Sequence, residues 1–189
     1  FLSDNGACAQ SIHNTPEAPP GPVNSYHTCY AAWANVSNTP FRLFKTFDHE
    51  GGISTPMIAC WPRGIGAGGR ISRTVGHVMD FMPTLAELAG ARYPERRNGH
   101  EVLPMEGASF APALRDPAWP GRERTLFWEL RGARAARQGR CKIVTQGPAR
   151  NHIGMPVQNG HEAWELYDID TDRCELRNLA AQFPERVQE

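Results

Sequence analysis

The strongest constraint on this chain is its punctuation: 18 glycines and 16 prolines are spread through 189 residues. Proline removes a backbone donor and breaks helix interiors, while glycine frees the backbone for turns. That spread excludes a simple helical bundle and predicts short elements joined by many loops. Between the breaks, 40% of residues are hydrophobic and 21% charged, which suits a folded domain with a core and not uniform disorder. The length fits one domain or slightly more. Basic and acidic residues balance at 20 each, with no basic block, so neither a nucleic-acid platform nor an anionic membrane surface is expected. No apolar run approaches a membrane span.

The opening residues, Phe1-Leu2-Ser3-Asp4-Asn5-Gly6, read as the carboxyl end of a buried strand running into a polar turn. With no initiator methionine ahead of them, they predict the C-terminal portion of a longer chain. Residues 7–40 read as a long loop carrying Pro16, Pro19, Pro20, Gly21 and Pro22, with Tyr26, Tyr30 and Trp33 available to pin its second half. Ile53 to Trp61 predicts a buried strand with Pro56 near its start. Asp80 to Gly90 predicts a helix, with Asp80 as N-cap, Pro83 in the first turn, Phe81, Leu85 and Leu88 as the apolar face, and Gly90 just past the end. Thr125–Glu129, Cys141–Thr145 and Trp164–Tyr167 predict short strands, followed by an aspartate-rich turn and a last helix from Pro184. Together these predict an α/β part over residues 1–115 and a small antiparallel subdomain over residues 116–189.

Five cysteines, Cys8, Cys29, Cys60, Cys141 and Cys174, are widely spaced and odd in number. They match no paired zinc spacing and read as incidental or buried thiols. They leave the compartment open, whether periplasmic, secreted or cytoplasmic.

Asp4 and Asn5 lie where ligand sites of open α/β sheets gather, at the carboxyl end of a strand. Carboxylate and amide oxygens suit Ca²⁺ or Mg²⁺ better than zinc; the same three letters, Asp-Asn-Gly, also make an ordinary turn. Lys45 and Lys142 are the only lysines. A lysine supplies a compact point charge suited to one oxyanion oxygen, or simply a solvated surface group. Glu50 stands where its carboxylate could orient Lys45 or a nearby amide, or serve as a structural carboxylate. Gly51-Gly52 permits close backbone approach.

Ordered segments then carry a resemblance. Phe1-Leu-Ser-Asp-Asn-Gly6, Ser37-Asn-Thr-Pro-Phe-Arg-Leu-Phe-Lys45 and His49-Glu-Gly-Gly-Ile-Ser-Thr-Pro56 resemble the sulfatase family, particularly bacterial arylsulfatases. His77 through Gly90, Thr125 through Val144, and Trp164 through Asp172 with Asn178-Leu-Ala180 agree in order, over nearly the whole chain outside residues 9–25. The resemblance implies part of an alkaline-phosphatase-like α/β/α sandwich, plus a small C-terminal antiparallel sheet with a terminal helix. It implies that Asp4 and Asn5 help bind a catalytic Ca²⁺ and that Lys45 contacts the sulfate. The family's nucleophile is a formylglycine hydrate, made from the first residue of a Cys/Ser-x-Pro-x-Arg motif, and attack proceeds through a covalent sulfo-enzyme intermediate. Metal and lysine would offset charge on the non-bridging oxygens as the ester breaks. Asn5, where related phosphatases tend to carry histidine, leans toward sulfate. Small-molecule or glycan sulfate esters are the expected substrates.

The departures are as informative. Cys60-Trp-Pro-Arg63 misses the nucleophile motif by one position, and Cys60 reads as a buried strand residue. The family's paired acidic ligands and other sulfate-binding residues are absent and are expected upstream, in a missing N-terminal half of the same protein. Two protein oxygens fall short of the six to eight that Ca²⁺ takes, so this chain alone is expected to be inactive and to bind calcium weakly. Leu130-Arg131-Gly132-Ala133-Arg134 replaces a common His-Glu-Gly-Asn-Arg, which leaves substrate identity open. His49, like Glu50, reads as a supporting residue behind the site, or as a core histidine, rather than a general acid. Asn35-Val-Ser37 is a glycosylation sequon, and Asp168, Asp170 and Asp172 read as a solvated turn. A phosphate or phosphonate ester hydrolase and a degenerate non-catalytic module remain the alternatives.

Overall fold

The structure is a computed structural model that describes residues 1–10, 18–65, 68–116, 118–145 and 163–188. The chain divides into two compact units, one of Phe1 with Ile58–Glu123 and the other of Leu2–Met57 with Arg124–Glu189.

The second unit is built on a four-stranded antiparallel sheet: β3 (Thr125–Leu130), β4 (Ala133–Gln138), β5 (Cys141–Val144) and β6 (Glu165–Asp168), paired in that order. Arg131 and Gly132, both at positive φ (56° and 88°), make the two-residue turn between β3 and β4, the backbone that tight hairpins demand. Side chains alternate across the pleat. Ala133 and Ala135 of β4, and Lys142 and Val144 of β5, are buried at every second residue. Ala135, Val144, Tyr167 and Ile169 form the core on this side, with Trp128 packed against it. The sequence reading found a strand pair between Thr125 and Val144; the structure has three strands there. β4 was missed because its Ala-Arg-Ala-Ala-Arg run has no β-branched or aromatic residue, and tertiary pairing overrides that weak preference.

Two helices precede the sheet: α1 (Tyr30–Asn38) and α2 (Glu50–Ile53). The helix α1 occupies the end of the stretch read as loop, in an alanine-containing run free of proline. Ala34 is its buried contact, packed with Ala9 and Phe44. Trp33, Tyr26 and Tyr30 are exposed, so the small alanine, not the aromatic residues, anchors this segment. The buried strand expected at Ile53–Trp61 is absent. Its first residue ends α2, a single bridge joins Met57 to Leu2, and Ile58, Cys60 and Trp61 are exposed. Cys60 is therefore not a buried strand residue; a strand exists only where a ladder partner accepts it, and Pro56 and Pro62 remove two donors. A last helix, α5 (Pro184–Gln188), starts at the proline as expected.

The first unit contains α3 (Phe81–Ala89), entered through a 3₁₀ turn at Val78–Asp80, then a short hairpin of β1 (Arg96–Arg97) and β2 (His100–Glu101), and α4 (Ala111–Arg115). Gly90 ends α3 in the left-handed region at φ 62°, a conformation glycine takes without strain. The Asp80 carboxylate accepts from His77 N at 2.8 Å and from Ala108 N at 2.9 Å. The expected apolar face is altered: Leu85 is 60% exposed, and Thr84 is the buried residue of α3. Its hydroxyl donates to Asp80 O at 2.6 Å and accepts from Phe110 N at 3.0 Å, and the Phe110 ring meets Phe81 edge-on at 5.3 Å. Period alone cannot distinguish this polar hub from the neighbouring leucine. Thr84→Val keeps the shape but strands the buried Phe110 N–H, and should cost about 1–3 kcal/mol; equilibrium denaturation checks this, and a change near zero would remove Thr84 as the link.

Candidate active site

The sequence-predicted residues meet in the second unit through backbone contacts. Gly6 N donates to Gly52 O at 2.9 Å, and Lys45 N donates to Ala7 O at 3.1 Å. The Asn38 amide spans the same two segments: its Oδ1 accepts from Ala7 N and its Nδ2 donates to Leu43 O, both at 3.0 Å. The segment bearing Asp4 and Asn5 therefore runs beside the loop bearing Lys45. Glycine is required at this junction. A Cβ on Gly6 would lie 1.8 Å from Gly51 O, one on Gly51 would lie 2.2 Å from Arg42 O, and one on Gly52 would lie 1.9 Å from Phe47 O.

The lysine loop is closed on itself by Gly51 N donating to Arg42 O at 3.0 Å. Leu43 and Thr46 take positive φ within it, at 65° and 85°, which costs L-residues energy unless their surroundings hold them. Phe44 is fully buried and meets Phe47 edge-on at 5.3 Å. Asp4 is exposed, while Asn5 and Lys45 are half-buried. None of these three side chains bonds another side chain among the described residues.

Behind the loop lies a buried polar network. The guanidinium of Arg42 donates to the Tyr167 hydroxyl at 2.9 Å and to Glu175 O at 2.8 Å. Tyr167 in turn donates to Glu165 Oε2 at 2.6 Å, which also lies 2.9 Å from His49 Nε2. Burial alone would raise the Glu165 carboxyl, but the hydrogen bonds from His49 and Tyr167 and the charges of His49 and Arg42 outweigh it and bring it down to about 2. Burial, then the Glu165 contact, pushes the Tyr167 hydroxyl well above its ordinary value. Asp48 is pushed up to about 6, chiefly by burial, against the pull of Lys142 and His49.

Glu50 does not face Lys45. Its Oε1 accepts from Lys142 Nζ at 2.9 Å, and its backbone N donates to Glu175 Oε2 at 2.8 Å. Glu175 Oε1 lies 2.8 Å from the same ammonium, off the direction of a hydrogen bond, so this second contact is an ion pair by distance. The expectation that Glu50 orients Lys45 directly is corrected: it binds the other lysine. Asn38, Arg42, Lys142, Glu165 and Glu175 were not singled out as site residues. The only signal for Lys142 was the scarcity of lysine. His49 is fully buried, in a place that fits a core or supporting histidine.

Among the described residues, no cluster of three or more His, Cys, Asp or Glu side chains could hold a metal ion. Asp4 and Asn5 offer at most three side-chain oxygens where Ca²⁺ takes six to eight, so these two residues do not by themselves compose a calcium site. All five cysteines are free. The aspartate-rich turn caps its own backbone: Asp172 accepts from Leu176 N and Arg177 N, and Asp168 accepts from Asp170 N and pairs with Arg140.

The network has a pH signature. The folded Glu165 carboxyl titrates near 2, below its ordinary 4.5. Its contribution is therefore complete above the unfolded value and is lost as pH falls through about 2. Asp48 has the opposite sign: its charge costs nothing below 3.8 and its full cost is present above about 6. Glu165→Gln should flatten the loss of stability in acid, and Asp48→Asn should stabilise the fold at neutral pH by up to about 3 kcal/mol, with the gain vanishing in acid. Denaturant unfolding across pH 2–8 checks both; an Asp48→Asn gain independent of pH would contradict the assignment.

Comparison with known proteins now gives the lineage. Residues 41–188 match the family described as N-sulphoglucosamine sulphohydrolase, C-terminal. An uncharacterized sulfatase of Schizosaccharomyces pombe is 32% identical over 100% of this chain and 35% of its own length. Human arylsulfatase A is 31% identical over 78% of this chain and 31% of its own. Mouse N-acetylgalactosamine-6-sulfatase is 41% identical over 95% of this chain and 27% of its own. Among solved structures, a chain described with the metabolism of multiple glycosaminoglycans by Bacteroides thetaiotaomicron superposes with a TM-score of 0.69, at 22% identity, covering 100% of this chain and 36% of that one. Another, described as in complex with its substrate D-glucosamine-2-N,6-O-disulfate, gives 0.55 at 19% identity, covering 82% of this chain and 29% of that one. The chain spans 27–35% of the length of these curated relatives. Its mixed α/β fold, with small antiparallel sheets and a terminal helix, is a portion of the alkaline-phosphatase-like fold of these proteins. The chain belongs to the sulfatase family and corresponds to its C-terminal portion.

Proposed function

We propose that the protein carrying this chain hydrolyses sulfate esters, and that this chain contributes Lys45 to the sulfate and Asp4 and Asn5 to a calcium site. The observation that carries the reading is the hydrogen bond from Lys45 N to Ala7 O, which brings the lysine loop beside the Asp4–Asn5 segment in a member of the sulfatase family. The Lys45 ammonium would offset charge on a non-bridging sulfate oxygen as the S–O bond breaks. Its half-buried, unpaired side chain supports that role, because no carboxylate among the described residues neutralises it.

The nucleophile, a formylglycine, and most calcium ligands would come from outside these 189 residues. Calcium, when bound, would supply Lewis-acid stabilisation of the sulfate oxygens. A relative named N-acetylgalactosamine-6-sulfatase and a fold neighbour in complex with a sulfated glucosamine support sulfated sugars as the substrate class.

Sulfate release from sulfated amino sugars and from an aryl sulfate, by the complete protein, is the test. Lys45→Ala should lower kcat/KM by roughly 100- to 1000-fold, and a preference for the aryl ester would overturn the sugar assignment. The 189-residue chain alone should give no turnover; measurable hydrolysis by it would overturn the division of the site.

A further inference from the structure

We propose that Lys142 is a positioning residue for Lys45, acting through Glu50 and Glu175 to fix the shape of the lysine loop. This rests on the reading of Lys45 as the sulfate-binding lysine.

Lys142 is fully buried on the inner face of β5, and its two partners are buried with it. Taking an ammonium and two carboxylates out of water is costly, and an apolar cluster of equal volume would hold a sheet to a loop as well or better. What an apolar cluster cannot do is fix direction. Glu50 is gripped twice: its carboxylate by Lys142 Nζ at 2.9 Å and its backbone N–H by Glu175 Oε2 at 2.8 Å. The next residue, Gly51, closes the lysine loop onto Arg42 O at 3.0 Å. Arg42, at the other end, is gripped by the Tyr167 hydroxyl at 2.9 Å and by the carbonyl of Glu175 itself at 2.8 Å. Both ends of the loop are thus referred to Glu175, and Glu175 is referred to Lys142. Lys45 lies inside that closed loop, between two residues with positive φ, Leu43 and Thr46. Such a backbone persists only where its surroundings over-determine it. The buried ions provide that determination, and Lys45 is the loop's one unpaired cation among the described residues.

The experiment is a double-mutant cycle in the complete sulfatase, assayed for kcat, KM and Tm. One arm neutralises the ion cluster as a unit with Lys142→Met, Glu50→Gln and Glu175→Gln together, so that none of the three is left charged without its partners. The other arm is Lys45→Ala. The neutralised protein should keep its Tm within about 5 °C yet lose about 100-fold in kcat/KM, the scale of a misplacement near 1 Å. Its split between kcat and KM should match that of Lys45→Ala. Combining the two arms should cost little more than Lys45→Ala alone, because both act through the same ammonium. Should the triple variant not fold, the near-isosteric Glu50→Gln takes its place in the same cycle. Losses that add independently, or full activity in a neutralised protein that folds, would overturn the positioning role. An active Lys45→Ala would instead remove the reading of Lys45, and the positioning proposal with it.

Discussion

Lys142 carries a full charge into the interior, where Glu50 and Glu175 stand 2.9 and 2.8 Å from its ammonium. None of the three is satisfied without the others, since removing one leaves its partners charged and buried, and that is far costlier than never having buried them. The cluster therefore joins three stretches that are remote along the chain: the start of α2, the strand β5, and the turn after β6. The sheet register follows from it on one side, because Lys142 pairs with Tyr167 in the ladder and Tyr167 carries the hydrogen bonds to Glu165 and Arg42. The shape of the lysine loop follows on the other.

Glycine makes the second half of this arrangement possible. Gly6, Gly51 and Gly52 let three backbone segments approach more closely than any side chain would permit. Each glycine costs conformational entropy on folding, offset here by hydrogen bonds from Gly6 N and Gly51 N to carbonyls of neighbouring segments. As a result Asp4, Asn5 and Lys45, separated by about forty positions, lie on adjoining backbone, while His49, Glu50, Glu165 and Glu175 are held in the buried hydrogen-bond network. Membership of the sulfatase family makes sense of that division. In the function proposed above, the groups left to solvent are the ones that would meet a metal and an anion, and the groups withdrawn from it hold the frame.

The sequence made the lineage, the helix at residues 81–89 and the strands at residues 125–130 and 141–144 legible, because each rests on local spacing or on an ordered set of motifs. It made the helix at residues 30–38 and the strand at residues 133–138 hard to see. The helix run dilutes its alanines with asparagine, serine and valine, and the alanines and arginines of the strand run favour helix over strand, so packing of Ala34 against Phe44 and pairing of Ala135 with Val144 decided those cases. It misled at Ile53–Trp61, where an apolar run reads as a buried strand although only Met57 finds a bridging partner among the described residues.

What the sequence determined by itself was the kind of protein and the presence of two features: glycines where backbones meet, and two lysines in a chain otherwise rich in arginine. Which lysine does what was decided only in three dimensions. Glu50 is five residues from Lys45 and 92 from Lys142, and local spacing favours the nearer one. The fold reverses that choice because burial decides it. A carboxylate withdrawn from water takes the cation withdrawn with it, and Lys142, brought to Glu50 by the pairing of distant strands, is that cation; Lys45 stays half-buried in its loop with no carboxylate partner among the described residues.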